Sequence, residues 1–441
     1  MSGLRTGIGA AVIAAALLVC SAGSAPAQGA DPASGTLASG VAYRVRPDPA
    51  QPGAAVALWY RAPSGGFGDV RTPGLSRLAA ATIAASTPIT GTSLVQLIDR
   101  WGGRLSVAAY PDTLSITALV PPNRVAQTVR AMTADYFAPV VGAAGLQAAQ
   151  RDVGDDAAYR SFWPDAIEDA LGAALFAAGP LHDGTLGTAK SLNAVSLERV
   201  RAFADRAFRP ANAILILTGN VDAAALRNVA SRPGTAEPAP PERAAVQTPG
   251  TPGAALRREG NIAGTGLGWI GPPIADEADA TALDFVADLL FVPKTGLVPK
   301  ALGASKATVT GKFVTYRSPG IFLVTLSGEG AAEARPLVEQ AIAGAAKPLP
   351  AAAFAAARAA FVYRLLGQME TPSEIADTYG WYAVEGAPVY APAEGGLQGR
   401  YFTLAAGLTP DAVAAVVAKY LVPPPAVVTL VKQAPVARSR T

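Results

Sequence analysis

The chain holds one histidine, His182, and one cysteine, Cys20. That count limits its chemistry more than any motif does. Zinc centres draw chiefly on His and Cys, so no His-rich metal site can be assembled here. Cys20 falls in an N-terminal leader described below, and loss of that leader removes the thiol needed for disulfides or nucleophilic catalysis. His182 lies in the turn-like stretch Pro180-Leu181-His182-Asp183-Gly184. It reads either as a base paired with Asp183 or as a loop histidine in water. No Gly-x-Ser-x-Gly elbow and no thiol stands ready to partner it, so the water-exposed reading is adopted.

Four other patterns invite chemistry. Asp152, Asp155 and Asp156 could catch calcium, but a solvated helix face explains them more simply. Gly311-Lys312 hints at a phosphate loop, yet the glycine required five residues earlier is Lys306. Gly266-Leu267-Gly268 lies inside a strand-like run and reads as close packing rather than nucleotide binding. Tyr379-Gly380-Trp381-Tyr382 is the one aromatic cluster; it could stack a ligand, and packing within the second half is the preferred reading.

The elements that must position these residues come from a chain of 441 residues, half of them hydrophobic, enough for two or more domains. The net charge of +3 is not gathered into a stripe, which argues against a nucleic-acid partner. Residues 1–27 read as a secretory signal: Arg5, an apolar run from Ile8 to Val19, and Ala25-Pro26-Ala27 for cleavage. The run is shorter than the roughly 20 residues of a membrane span, and Val19 before Cys20 argues against lipidation. A periplasmic or secreted location and no stable membrane span after signal removal are therefore expected. Residues 28–40 read as a disordered leader.

Residues 231–253 carry six prolines and read as a linker. It separates lobes at 41–230 and 254–435. The lobes repeat each other. Ser196-Leu197-Glu198 opens a segment that passes Pro210 and ends in Ile214 to Leu217; Thr409-Pro410-Asp411 opens another that passes Pro423 and ends in Val427 to Leu430. In each, a hydroxyl caps a helix and an acid sits in its first turn. Strands are expected over 42–45, 54–60, 104–110, 114–120, 266–270 and 321–326. Helices are expected over 73–86, 93–101, 124–136, 143–178 (broken at Pro164), 276–290, 332–346 and 351–366. Strands and helices in runs give an α+β class.

Several landmarks stand in a telling order. Ala57-Leu58-Trp59-Tyr60-Arg61-Ala62 is followed by Gly66, then by Pro73-Gly74-Leu75 and by Leu97-Ile98-Asp99-Arg100-Trp101-Gly102-Gly103-Arg104-Leu105. Pro121-Pro122, Gly187-Thr188, Phe208-Arg209-Pro210-Ala211-Asn212-Ala213, Gly219-Asn220-Val221-Asp222 and Lys419-Tyr420-Leu421 follow. Over 40–432 the chain thereby resembles the insulinase/pitrilysin family of metallopeptidases, of the kind that includes the mitochondrial processing peptidase. The resemblance implies two homologous α/β-sandwich lobes of the inverted-zincin type. It also implies a His-x-x-Glu-His helix that binds zinc, with the Glu as general base.

The matching positions here are Arg77, Ala80 and Ala81. A guanidinium offers no lone pair and a methyl group no donor. The family's remote Glu ligand falls near Asp155 to Tyr159, where no Glu occurs. Its substrate-contacting Arg and Tyr of the second lobe fall on Gly303 and about Thr310; Tyr316-Arg317 lies beyond, out of spacing and order. The resemblance thus implies no catalytic, metal or cofactor residue in this chain. The function expected is that of a non-catalytic subunit, pairing with a zinc-bearing homologous peptidase chain to enclose peptide or unfolded polypeptide. A stand-alone envelope binding or scaffold protein, a homodimer with no proteolytic role, is the alternative. An enzyme with a relocated site is a third.

Overall fold

The structure is a computed structural model that describes residues 33–37, 39–68, 70–87, 91–222, 247–317, 319–387 and 396–433. The expected signal at 1–27 lies outside these, as does most of the expected linker.

The first lobe is built on six strands: β1 (Ala33–Thr36), β2 (Ala42–Pro47), β3 (Ala54–Arg61), β4 (Arg104–Ala109), β5 (Thr113–Val120) and, after a short β6 (Phe176–Ala178), β7 (Ala213–Gly219). They run β1-β2-β7-β3-β5-β4. Only β2 and β7 are parallel; the other pairings are antiparallel. The run Ala-Ala-Val-Ala-Leu-Trp-Tyr of β3 is buried throughout, as a strand covered on both faces must be. One face packs on α1 (Leu75–Ala85), α3 (Val125–Phe137), α4 (Ala143–Arg160) and α6 (Leu197–Ala207); α2 (Leu94–Arg100), α5 (Asp165–Leu175) and two short helices, Pro180–Asp183 and Ala189–Asn193, belong to the same lobe.

The second lobe repeats the wiring. After β8 (Thr248–Pro249), strands β9 (Ala255–Gly260), β10 (Gly264–Ile270), β11 (Thr308–Val314), β12 (Ile321–Ser327) and β13 (Ala426–Lys432) run β11-β12-β10-β13-β9. Its helices are α7 (Glu277–Phe291), α8 (Leu297–Leu302), α9 (Ala331–Gly344), α10 (Ala351–Gly367), α11 (Pro372–Glu385), α12 (Gly396–Ala406) and α13 (Pro410–Tyr420). The repeat read in the sequence is a repeat of structure. Ser196 caps α6 by accepting from the Arg199 amide, and Thr409 caps α13 by accepting from the Ala412 amide. The parallel pairings keep one register: Ala42 faces Ile214 and Ala255 faces Val427, 172 positions apart in each lobe.

Each sheet takes the cover for its second face from the other lobe. Helix α11 of the second lobe lays Ile375, Ala376 and Tyr379 on Ala55, Ala57, Ile214 and Ile216 of the first sheet. Helix α5 of the first lobe lays Ile167, Leu171 and Leu175 on Leu323, Val428 and Leu430 of the second. The glycines of β10 permit this. A Cβ on Gly266 or Gly268 would come within 2.8 Å of Leu171 or Leu175, so the packing reading of Gly266-Leu267-Gly268 gains a definite cause.

Three expectations are corrected. The leader over 28–40 is not loose throughout: Ala33–Thr36 pairs antiparallel with β2, and buried Leu37 and Val41 anchor it. Small side chains leave main-chain pairing intact, which composition conceals. The helix expected to reach Ala178 ends at Leu175, because residues 176–178 turn into β6 and pair with β8. That pairing also ties down the end of the expected linker 231–253, where the Gly250 amide donates to the Leu175 carbonyl at 2.7 Å.

Candidate functional site

Helix α1 turns Leu75, Leu78, Ala79 and Ile83 into the first core. Ala80 is buried with them, and its carbonyl accepts the Tyr136 hydroxyl at 3.0 Å. Ala81 packs partly buried at the same core. Arg77 projects sideways from α1 and forms an ion pair with Asp156 of α4. Asp156 falls within the stretch 155–159 that the resemblance marks for a remote ligand. Where that resemblance puts a metal between two helices, this chain puts a guanidinium on a carboxylate. The ion pair bridges α1 and α4 beside their apolar contact. Only a metal can also polarise water. The acidic cluster Asp152, Asp155 and Asp156 resolves into this one ion pair and two exposed side chains. Among the described residues, no three of His, Cys, Asp and Glu come together as a metal-binding group.

His182 sits in a single helical turn, Pro180–Asp183, with its Nδ1 3.1 Å from Asp183 Oδ1. The pairing with Asp183 therefore exists, and the histidine is still 38 % exposed. Asp183 already holds a cation, since Arg71 donates to its other oxygen at 2.9 Å. Gly303 ends α8 and Thr310 bonds Thr325 across the sheet at 2.8 Å; neither carries charge. Lys312 spends its charge on Glu168 of α5 at 2.8 Å, an ion pair between the lobes rather than a phosphate contact.

The aromatic cluster 379–382 packs the lobes together, which corrects its placement inside the second half alone. Trp381 meets Trp59 of β3 and Tyr110, in the turn after β4, edge-on at 6.2 and 4.7 Å, while Trp59 and Tyr110 stack at 5.7 Å. Gly380 lies against the Trp59 indole: a Cβ there would stand 2.0 Å from Nε1. Beside them lies a polar cluster that sequence reasoning missed. Arg61 donates to the Val384 carbonyl at 3.2 Å, and Arg317 donates to the same carbonyl and, from its amide, to Glu385 at 2.7 Å. Burial pushes the Asp112 carboxyl up to about 6 and Glu385 well above its usual range, with each carboxyl close to the other. Tyr316-Arg317 thus has a task, which is to join the lobes. The odd spacing of Tyr316-Arg317 carried no signal of this, because its partners Asp112, Trp381, Val384 and Glu385 lie far from it in the chain.

A cavity of about 640 Å³ opens next to the aromatic contact, between α7, α10, α11 and β11 on one side and Trp59 and Tyr110 on the other. Asp284, Asp288 and Asp377 line it. Burial raises Asp284 to about 7 and Asp377 to about 6.

Against known proteins, residues 194–361 match the family model described as the peptidase M16 inactive domain. No curated protein matches the chain. Among solved structures, a protease from Helicobacter pylori aligns with a TM-score of 0.76 at 15 % identity, over 91 % of this chain and 99 % of that one. A peptidase M16 inactive domain from Pseudomonas fluorescens aligns with a TM-score of 0.75 at 18 % identity, over 92 % and 100 %. A chain of complex III2 from Candida albicans aligns with a TM-score of 0.72 at 13 % identity, over 90 % and 94 %. These likenesses show the fold. The class they define is one of fold: a two-lobed α+β architecture like that of M16 peptidases and M16 inactive domains, with residues 194–361 similar to the M16 inactive domain. The His-x-x-Glu-His positions of this chain hold Arg77, Ala80 and Ala81. Helix α1 lies outside the matched span.

Proposed function

We propose that this exported chain is the non-catalytic half of a two-chain zinc peptidase. Its partner is a homologous chain that keeps the zinc ligands, and together the two halves enclose a peptide. The observation that carries the reading is the Arg77–Asp156 ion pair on an otherwise intact two-lobed fold. The helix pair that would hold a metal is kept in place by other means, so the fold is maintained while the chemistry is left to another chain. Strand β4 supports a role in substrate selection. It is an outer strand of the first sheet, its side chains alternate in exposure, and a free strand edge can accept an extended peptide through main-chain bonds.

The test is reconstitution. The chain alone should show no peptide turnover, hold no stoichiometric zinc and keep its melting temperature in a chelator. It should co-purify from its native host with a zinc-bearing homologue, and the pair should cleave peptide. Zinc-dependent turnover by the isolated chain overturns the proposal. A stable homodimer recovered with no zinc-bearing relative does the same and favours the scaffold alternative.

A further inference from the structure

The cavity at the lobe junction has a chemistry of its own. At about 640 Å³ it has the size of a ligand site rather than a packing defect. Its walls are aromatic: Trp59 and Tyr110 stacked, Trp381 edge-on to both, and Tyr382 beside Tyr401. Its charges are unbalanced. Asp288 is neutralised by Arg364, and Lys312 by Glu168. Asp284 accepts only the Tyr401 hydroxyl, at 2.5 Å, and faces no cation among the described residues. Asp377 likewise has neither a hydrogen bond nor an ion pair there, and its field reaches Tyr110. Two unneutralised carboxylates and a set of π faces therefore line one concave space.

We propose that this cavity binds a guanidinium or ammonium group carried on an apolar stem, namely an arginine or lysine side chain of a peptide. Aromatic faces attract such a cation and shed water from its stem, and the carboxylates pair its charge. An anion is repelled by the same groups. A metal ion is a poor occupant, because among the described residues no three of His, Cys, Asp and Glu come together here as a metal-binding group. A peptide is the source that fits the reading given above, on which only this part of the proposal rests.

The test needs neither the partner chain nor turnover. The full chain is titrated with a blocked glycine-rich pentapeptide holding one arginine, and with the same peptide holding citrulline, which keeps the shape and loses the charge. Tryptophan fluorescence and calorimetry report binding. We expect the arginine peptide to bind at least about tenfold tighter than the citrulline peptide. The Asp284→Asn/Asp377→Asn variant should abolish that preference while its circular dichroism stays unchanged. Equal binding of both peptides, no binding of either at millimolar concentration, or a preference that survives the double variant overturns the proposal. Free arginine amide binding as tightly as the peptide overturns the peptide source.

Discussion

The two lobes share a wiring and differ in how they are tied. In the first, α1 and α4 are joined by Arg77 on α1 and Asp156 on α4. In the second, the corresponding helices α7 and α10 are joined by Asp288 on α7 and Arg364 on α10. The polarity is reversed. The same helix pair therefore accepts an ion pair of either sense, and in the peptidases that this chain resembles it holds a metal in the first lobe. The lobes also differ at their exchanged helices. The second sheet receives α5 over glycines of β10, whereas the first receives α11 over alanines and Trp59 of β3.

That last contrast gives the largest expected effect. Gly380→Ala puts a Cβ 2.0 Å from the Trp59 ring, while Gly268→Ala comes no closer than 2.8 Å, to the flexible side chain of Leu175. Overpacking of this kind costs about 1–3 kcal/mol, and Gly380→Ala should fall at the upper end and Gly268→Ala at the lower. Urea denaturation of both variants measures the gap. Equal costs would mean that the two exchanged helices are held alike.

A smaller effect comes from the carboxyls between the lobes. Asp112 and Glu385 keep their protons in the folded chain at pH values where an unfolded chain has released them. The folded state then binds more protons, so stability falls as pH rises from about 4 through about 6. Arg61 and Arg317 oppose this without cancelling it. Glu385→Gln should flatten that slope and stabilise the chain above pH 6, by on the order of 1–2 kcal/mol. Melting curves of wild type and variant from pH 4 to 8 show it, and parallel curves would remove the carboxyl pair from the account.

The smallest effect concerns the reversed ties. Arg77→Asp should cost up to about 1 kcal/mol, because partly exposed ion pairs are worth little, and Arg77→Asp/Asp156→Arg should recover most of it. The same exchange at Asp288 and Arg364 should behave alike. Recovery in one lobe alone would break the equivalence drawn between them.

Much of this was legible in the sequence because it is local. The capped helices at Ser196 and Thr409, the Pro after each and the following apolar strands are short-range signals, and they located the repeat to the residue. The expectation that this helix holds no zinc also comes from residue type: Arg77 has no lone pair wherever it points. The strand Ala33–Thr36 was not legible, since Ala, Ser, Gly and Thr gain their conformation only from the edge of β2. Nor was the second lobe's α11, whose aromatic cluster has its partners on β3, more than 300 positions away in the chain, as with the Arg46–Tyr379 contact.

The sequence by itself determined two similar α+β lobes and removed the donors that a zinc ion needs, because helix caps, apolar periodicity and side-chain chemistry act within a few residues. Only the tertiary structure decided that each lobe covers the other's sheet, that Asp156 answers Arg77, and that Asp284 and Asp377 share an aromatic-walled cavity. Those facts depend on which distant surfaces meet, and that is settled by burial and shape across the whole chain.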